Sequence, residues 1–424
     1  MKHDIHRHTL PNGISLVLIP LQSTEAVTSI VLMGVGSRYE SDAQRGLAHF
    51  TEHMVFKGGK TFLDAQAISQ ALDAVGGEFN AFTSQEFTGF YTKTASRHMK
   101  LGLDVLSDMV LHASIPDEEL QKEKGVIVEE INMYEDIPMR KVDHLLSELL
   151  FGDTPLGRPI LGTKESVTGF TRQDFIDYRT QFYFGSQCTI VIAGAIDEVA
   201  VKDLVQELFA ELPKGQTYLP TPVHFMDGPK VLLQSTDSQQ SHLMLAVKGY
   251  ALAHPKRFAY RILATILGGN MSSRLFTSVR EQQGLCYYVR ATPDTYVDCG
   301  VLACSAGVDN NRLHKAITAI LHELTLLRDQ PVLAEELERA KQFQLGKLLL
   351  SLEDSEEVAE FYGMQELLEH SLLTPDEIEA GILSVTVDEI QAIAQELFTN
   401  DNLRLAVVGP EKDAATLEKL LVLV

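Results

Sequence analysis

Cysteine is scarce, positive charge is in deficit and long apolar runs are missing from this chain of 424 residues, and each shortage closes off a class of protein. The four cysteines, Cys188, Cys286, Cys299 and Cys304, show no Cys-x-x-Cys spacing, so they read as free thiols rather than a disulfide frame or a thiolate zinc cage. No apolar run approaches the roughly 18 residues of a membrane-crossing helix, and the polar start Met-Lys-His-Asp-Ile-His-Arg-His is unlike a secretion signal. A cytoplasmic protein without membrane association is expected. Lys and Arg number 36 against 58 Asp and Glu, a net charge of −22 that repels phosphate backbones and anionic lipid, so nucleic-acid binding is not expected. The acidity would draw in basic peptides if it lined a chamber; spread over a surface it serves solubility.

What is present is an ordinary globular composition, 45% apolar and 22% charged, over a length that allows two or more domains. The proline-rich stretch Leu212-Pro-Lys-Gly-Gln-Thr-Tyr-Leu-Pro-Thr-Pro222 has little apolar periodicity and marks a linker. Residues 1–212 and 229–424 are then two domains joined by 213–228, and they resemble one another. Ser29-Ile-Val-Leu-Met-Gly corresponds to Ser241-His-Leu-Met-Leu-Ala, and each is followed by an apolar helix ending in a glycine pair, Gly58-Gly59 and Gly268-Gly269. Late strands correspond too, Thr189–Gly194 with Arg404–Gly409. Periodicity predicts helices over Thr61–Val75, Ser96–Ala113 and Pro116–Glu135. The fold class expected is α+β, two repeated domains, each a mostly antiparallel sheet packed with long helices.

In Gly46-Leu-Ala-His-Phe-Thr-Glu-His-Met-Val-Phe-Lys-Gly58 stands an H-x-x-E-H motif formed by His49, Glu52 and His53. Four residues make about one helical turn, so both imidazoles leave one face and can share a metal ion, with Glu52 on the same side. The motif alone also fits a hydrogen-bonded helix surface. Its apolar neighbours Ala48, Phe50, Met54, Val55 and Phe56 favour a buried helix, where polar groups need a partner such as a metal. Pro116-Asp-Glu-Glu opens a further helix with proline and acids at its positive end, and on it Glu123 and Glu130 lie seven apart, almost two full turns. Glu129 is chemically identical to Glu130 but turned about 100° around the helix, out of line with Glu123. The glycine pairs, aligned, set Ala259, Ile262 and Leu263 opposite His49, Glu52 and His53, so the second half keeps the helix without the ligands.

These motifs together resemble the family of pitrilysin, insulin-degrading enzyme and mitochondrial processing peptidase, the inverzincins. The resemblance covers the whole chain. In that family the third zinc ligand is a glutamate seventy-seven residues past the second histidine, which falls here on Glu130, with a further glutamate seven before it, here Glu123. A substrate-binding strand follows a glycine-rich turn, matched by Gly76-Gly-Glu-Phe-Asn80-Ala81-Phe82-Thr83-Ser84, and a carboxyl-terminal Arg and Tyr seven apart are matched by Arg280 and Tyr287.

The resemblance implies one Zn²⁺ per chain on His49, His53 and Glu130, the fourth position being left to water. It implies Glu52 as general base, Glu123 as the acceptor that fixes a ligand histidine's tautomer, and Arg280 and Tyr287 as oxyanion donors. Asn80, Ala81, Phe82 and Thr83 would take a peptide as an added strand if they form a sheet edge; an interior hairpin is the alternative. Without the family, Arg280 reads as a surface charge, Tyr287 as a strand aromatic and Glu123 as a solvated helix acid. The activity implied is zinc-dependent endoproteolysis of unstructured, possibly basic peptides by a homodimer, or by a heterodimer with a related subunit. Arg280 and Tyr287 would then act in the same chain or across to a second one. The rival from another class is a non-catalytic scaffold subunit of the same fold. Tyr134-Glu-Asp, Leu156–Gly162 and Ser272-Ser-Arg-Leu-Phe276 resemble the processing-peptidase branch, while the long glycine-rich loop of its non-catalytic subunit is absent near Gly268-Gly-Asn270. Presequence cleavage is therefore not implied.

Overall fold

Apolar and β-branched residues dominate Ala26–Met33 and Cys188–Gly194, the kind of run that belongs inside a sheet covered on both faces. The computed structural model, which describes residues 3–424, places both at the centre of one. The first two residues of the polar start lie outside the described range. Six strands form the first sheet: β1 (His6–Thr9), β2 (Ser15–Pro20), β3 (Ala26–Met33), β4 (Glu78–Thr83), β5 (Thr88–Ala95) and β6 (Cys188–Gly194). Their spatial order is β1-β2-β6-β3-β5-β4. β2 and β6 run parallel and the other pairs antiparallel. Every residue of β6 is buried, whereas β4 forms an edge of the sheet.

The second sheet has β7 (Val231–Ser235), β8 (Gln240–Gly249), β9 (Cys286–Thr295), β10 (Gly300–Asp309) and β11 (Arg404–Gly409), in the order β7-β11-β8-β10-β9. Again one pair, β7 with β11, is parallel and the rest are antiparallel. β2, β6, β3, β5 and β4 thus have counterparts β7, β11, β8, β10 and β9 in order and direction. This is the α+β repeat expected from the sequence, with β1 as the addition of the first sheet.

Compact units and chain order part company at two places. One unit comprises the described residues up to Ile131 with Pro159–Thr221 and Leu349–Pro375; the other comprises Asn132–Arg158, Pro222–Leu348 and Asp376–Val424. The two sheets fall on either side of the expected linker, while two helical segments cross it. The helix Pro138–Phe151 belongs to the amino-terminal half of the sequence, yet its buried Val142, Leu145, Leu146 and Leu150 share a core with Ala246, Val301 and Ala406 of the second sheet. The helix Ser355–Met364 belongs to the carboxyl-terminal half and covers β3 and β6. Its Gly363 approaches so closely that a Cβ would meet Leu32 at 2.8 Å and Val191 at 3.1 Å. Amphipathic periodicity says that a helix buries one face; it does not say against which sheet.

Four helices position the site: α1 (Leu47–Val55), α2 (Ala65–Asp73) and α3 (Met99–His112) of the first unit, and α4 (Asp117–Asp136), which lies in that unit as far as Ile131. α2 starts later than the predicted Thr61, because the buried Asp108 carboxylate of α3 accepts from the backbone N–H groups of Lys60, Thr61 and Phe62 at 3.0, 2.9 and 2.9 Å. That holds the segment as a loop until Asp64 caps α2 through Ala67 N–H. All four cysteines are free, and among the described residues no helix is long and apolar enough to cross a membrane.

Candidate metal centre

α1 is anchored by its apolar side. Leu47, Ala48, Phe50, Met54 and Val55 are buried in the core of the first unit, which fixes the orientation of His49, Glu52 and His53 on the remaining face. The imidazole rings of His49 and His53 lie 4.6 Å apart by their centroids. α4 brings Glu130 alongside, with Oε2 3.7 Å from Nε2 of each histidine. Glu129 is exposed and Glu130 half-buried, so the helix turns the second glutamate, not the first, toward the histidines.

Glu123, one pair of turns earlier, accepts a hydrogen bond from His53 Nδ1 at 2.9 Å. A carboxylate can only accept, so Nδ1 carries the proton, and Nε2 is the ring nitrogen turned toward Glu130. Lys57, four residues past His53, pairs with the other Glu123 oxygen at 2.6 Å. This lysine was missed in the sequence. Its spacing from His53 was visible there, but nothing marked a lysine as part of the site.

Charge in this cluster is governed by burial. The His49 ring is pushed down to about 3, by burial first and then by His53. Burial raises the carboxyl groups of Glu130 and Glu52, the latter against the opposing hydrogen bond from Thr83. For Glu123 burial also pushes upward, but the hydrogen bonds from His53 and Lys57 together hold it below the ordinary range. Two imidazoles and one carboxyl group thus come together, with one ligand atom from each within 4.8 Å of the other two. Ligand atoms around a tetrahedral zinc with bonds of about 2.1 Å are about 3.4 Å apart, close to the 3.7 Å separations of Glu130 Oε2 from the two imidazoles. The donor set and its spacing fit Zn²⁺, which could be held by His49, His53 and Glu130. His49 Nδ1, on the far side of its ring, is buried without a protein partner.

The edge strand β4 lies beside α1. Asn80 is exposed, Ala81 buried, and Phe82 half-buried against Phe87 with ring centroids 6.0 Å apart. Thr83 makes a contact that the sequence did not disclose: its hydroxyl donates to Glu52 Oε2 at 2.5 Å. Arg280 and Tyr287 belong to the second unit. There the Arg280 guanidinium lies 4.6 Å from the Phe276 ring centroid and 5.8 Å from that of Tyr287, which is 78% exposed on β9. In the repeat, Ala259, Ile262 and Leu263 are buried on the helix Arg257–Ala264, where apolar packing has taken the place of ligands.

Comparison with known proteins agrees with this division. Residues 16–164, which contain His49, Glu52, His53, Glu123 and Glu130, match the family model for Insulinase (Peptidase family M16), and residues 169–343 match that for Peptidase M16 inactive domain. The chain is 37% identical to the uncharacterized zinc protease YmxG of Bacillus subtilis, over 96% of this chain and 98% of that one. It is 34% identical to the uncharacterized zinc protease SCO5738 of Streptomyces coelicolor, over 96% and 90% respectively. Among solved structures, a protease from Helicobacter pylori shares the fold with a TM-score of 0.88 at 22% identity, over 97% of this chain and all of that one.

Proposed function

The chain belongs to peptidase family M16, the insulinase family, and from that premise we propose that it is a zinc metalloendopeptidase that cuts unstructured peptides bound as an added strand along β4. The observation that carries this reading is the convergence of His49, His53 and Glu130 on one point with Glu52 beside them.

Bound zinc supplies a Lewis acid and lowers the pKa of a water from about 15.7 toward roughly 7. The chain's own groups do the rest. His53 is oriented by Glu123, whose carboxyl is held below the ordinary range by its hydrogen bonds with His53 and Lys57. Glu52 takes a proton from the attacking water and returns it to the leaving nitrogen, and burial, which raises its carboxyl, suits it to both halves of that transfer. Main-chain groups of Asn80, Ala81 and Phe82 at the sheet edge would pair with a peptide whatever its side chains. Arg280 and Tyr287 take the part of donors to the developing oxyanion. The net charge of −22 supports a preference for basic peptides, and we further propose that two copies associate as a homodimer.

Metal analysis and a quenched fluorescent peptide test the reading together. About one zinc per chain is expected, lost in His49→Ala and Glu130→Gln. Glu52→Gln should keep the zinc and lose nearly all turnover of a peptide of about ten residues. A metal-free, fully folded wild type would favour a scaffold instead, and unchanged turnover in Glu52→Gln would remove the base from its role.

A further inference from the structure

The strand that receives substrate and the helix that carries the metal ligands come from separate stretches of chain, and one short segment ties them together. α1 is preceded at its cap position by Gly46, whose φ of 91° and lack of a side chain leave the helix start without a cap of its own. No other residue fits there, since a Cβ would lie 2.5 Å from the carbonyl oxygen of Leu161. Capping is instead done at a distance by Glu40, which is 7% exposed and accepts from Gly46 N–H at 2.8 Å and Ala48 N–H at 2.6 Å. A carboxylate at that end also meets the positive pole of the helix.

The same segment grips the β4–β5 turn. Ser37 N–H donates to Ser84 O at 3.2 Å and Arg38 N–H to Gln85 O at 2.8 Å. The Arg38 side chain, 1% exposed, reaches Glu86 at 2.6 Å, and Glu86 is itself buried. Gly36 passes so close beneath the turn that a Cβ would lie 2.2 Å from Ser84 O. Thr83, the last residue of β4, donates to Glu52 on α1. The contacts therefore close a loop: helix start to Glu40, Arg38 to the hairpin turn, Thr83 back to Glu52.

We propose that Glu40 and the Arg38–Glu86 pair are positioning residues that hold the base Glu52 at a fixed distance from a peptide paired with β4. The assignment rests on the peptidase reading above and deepens it. Neither end of the brace touches substrate or metal; each acts through an element that does. Rate enhancement by proximity is steep in distance, and a misplacement of about 1 Å can cost about a hundredfold.

Two variants of the full chain test the brace. Glu40→Gln keeps the side chain's shape but replaces one acceptor by a donor. Arg38→Met with Glu86→Leu removes the buried pair as a unit, so that no lone charge is stranded. Each is checked for a cooperative melt and bound zinc and then assayed with the quenched peptide. Each should lower kcat about a hundredfold with KM little moved. The triple variant should lose scarcely more than either alone, because freeing one end already frees the other. If the paired variant does not fold, Thr83→Val opens the loop at its third side, with the same non-additivity against Glu40→Gln and recovery in Thr83→Ser. Folded, zinc-loaded variants with wild-type kcat, or losses that simply multiply, would overturn the brace alone. A wild type that cuts no peptide would overturn the peptidase reading and this inference with it.

Discussion

The His49 imidazole is held near a pKa of about 3 by its burial, whereas in an unfolded chain it titrates near 6.5. Between those values the unfolded state takes up a proton that the folded state refuses, so stability rises with pH across the window by about 1.4 kcal/mol per pH unit. Glu130 works in the opposite direction: burial raises its carboxyl, and its contribution is lost as pH climbs past the ordinary 4.5. Zinc-free protein should therefore lose more thermal stability between about pH 7 and about pH 5 than zinc-free His49→Asn does. Calorimetry in which both lose equally would show that His49 is not held neutral by the fold. Residues of this kind were legible in the sequence because helical geometry converts spacing into a shared face, as it did for His49, Glu52 and His53 and for Glu123 and Glu130. Lys57 and Glu40 were not, since their partners are reached through folded space and a single lysine or glutamate has no pattern to betray it.

Element boundaries were less legible than element types. α4 was predicted over Pro116–Glu135 and runs Asp117–Asp136, its ends marked by proline and acids. α2 was predicted from Thr61 and begins at Ala65, because a distant carboxylate claims the intervening N–H groups. Asp108→Ala strands those donors beneath α3 and should cost about 2–4 kcal/mol in denaturant-measured stability. A loss within experimental error would mean that water satisfies them and that Asp108 does not shape the loop. The edge position of β4 could be stated only conditionally from its residues, since Phe-Asn-Ala-Phe-Thr suits an interior strand equally well; the fold decided it, with β4 paired to β5 on one side and last in the strand order.

For the molecule as a whole the repeat was readable, because corresponding strands kept their apolar runs and glycine pairs while Ala259, Ile262 and Leu263 stand where the first half has His49, Glu52 and His53. The homodimer proposed above should sediment at twice the chain mass of 47.0 kDa at micromolar concentration, and a single species of one chain mass would exclude it. What composition could not convey is the pair of crossing helices, since neither carries a signal naming its destination.

Those crossings bear on how the protein comes into being. A nascent chain that has emerged as far as the linker holds β1 to β6 complete in sequence, yet the cover for β3 and β6 is still unsynthesised, and the helix Pro138–Phe151 has as yet no sheet to lie on. The first unit is complete in sequence only once residue 375 has been made. Cleaving the gene at its natural seam would give two fragments, each carrying a piece of the other.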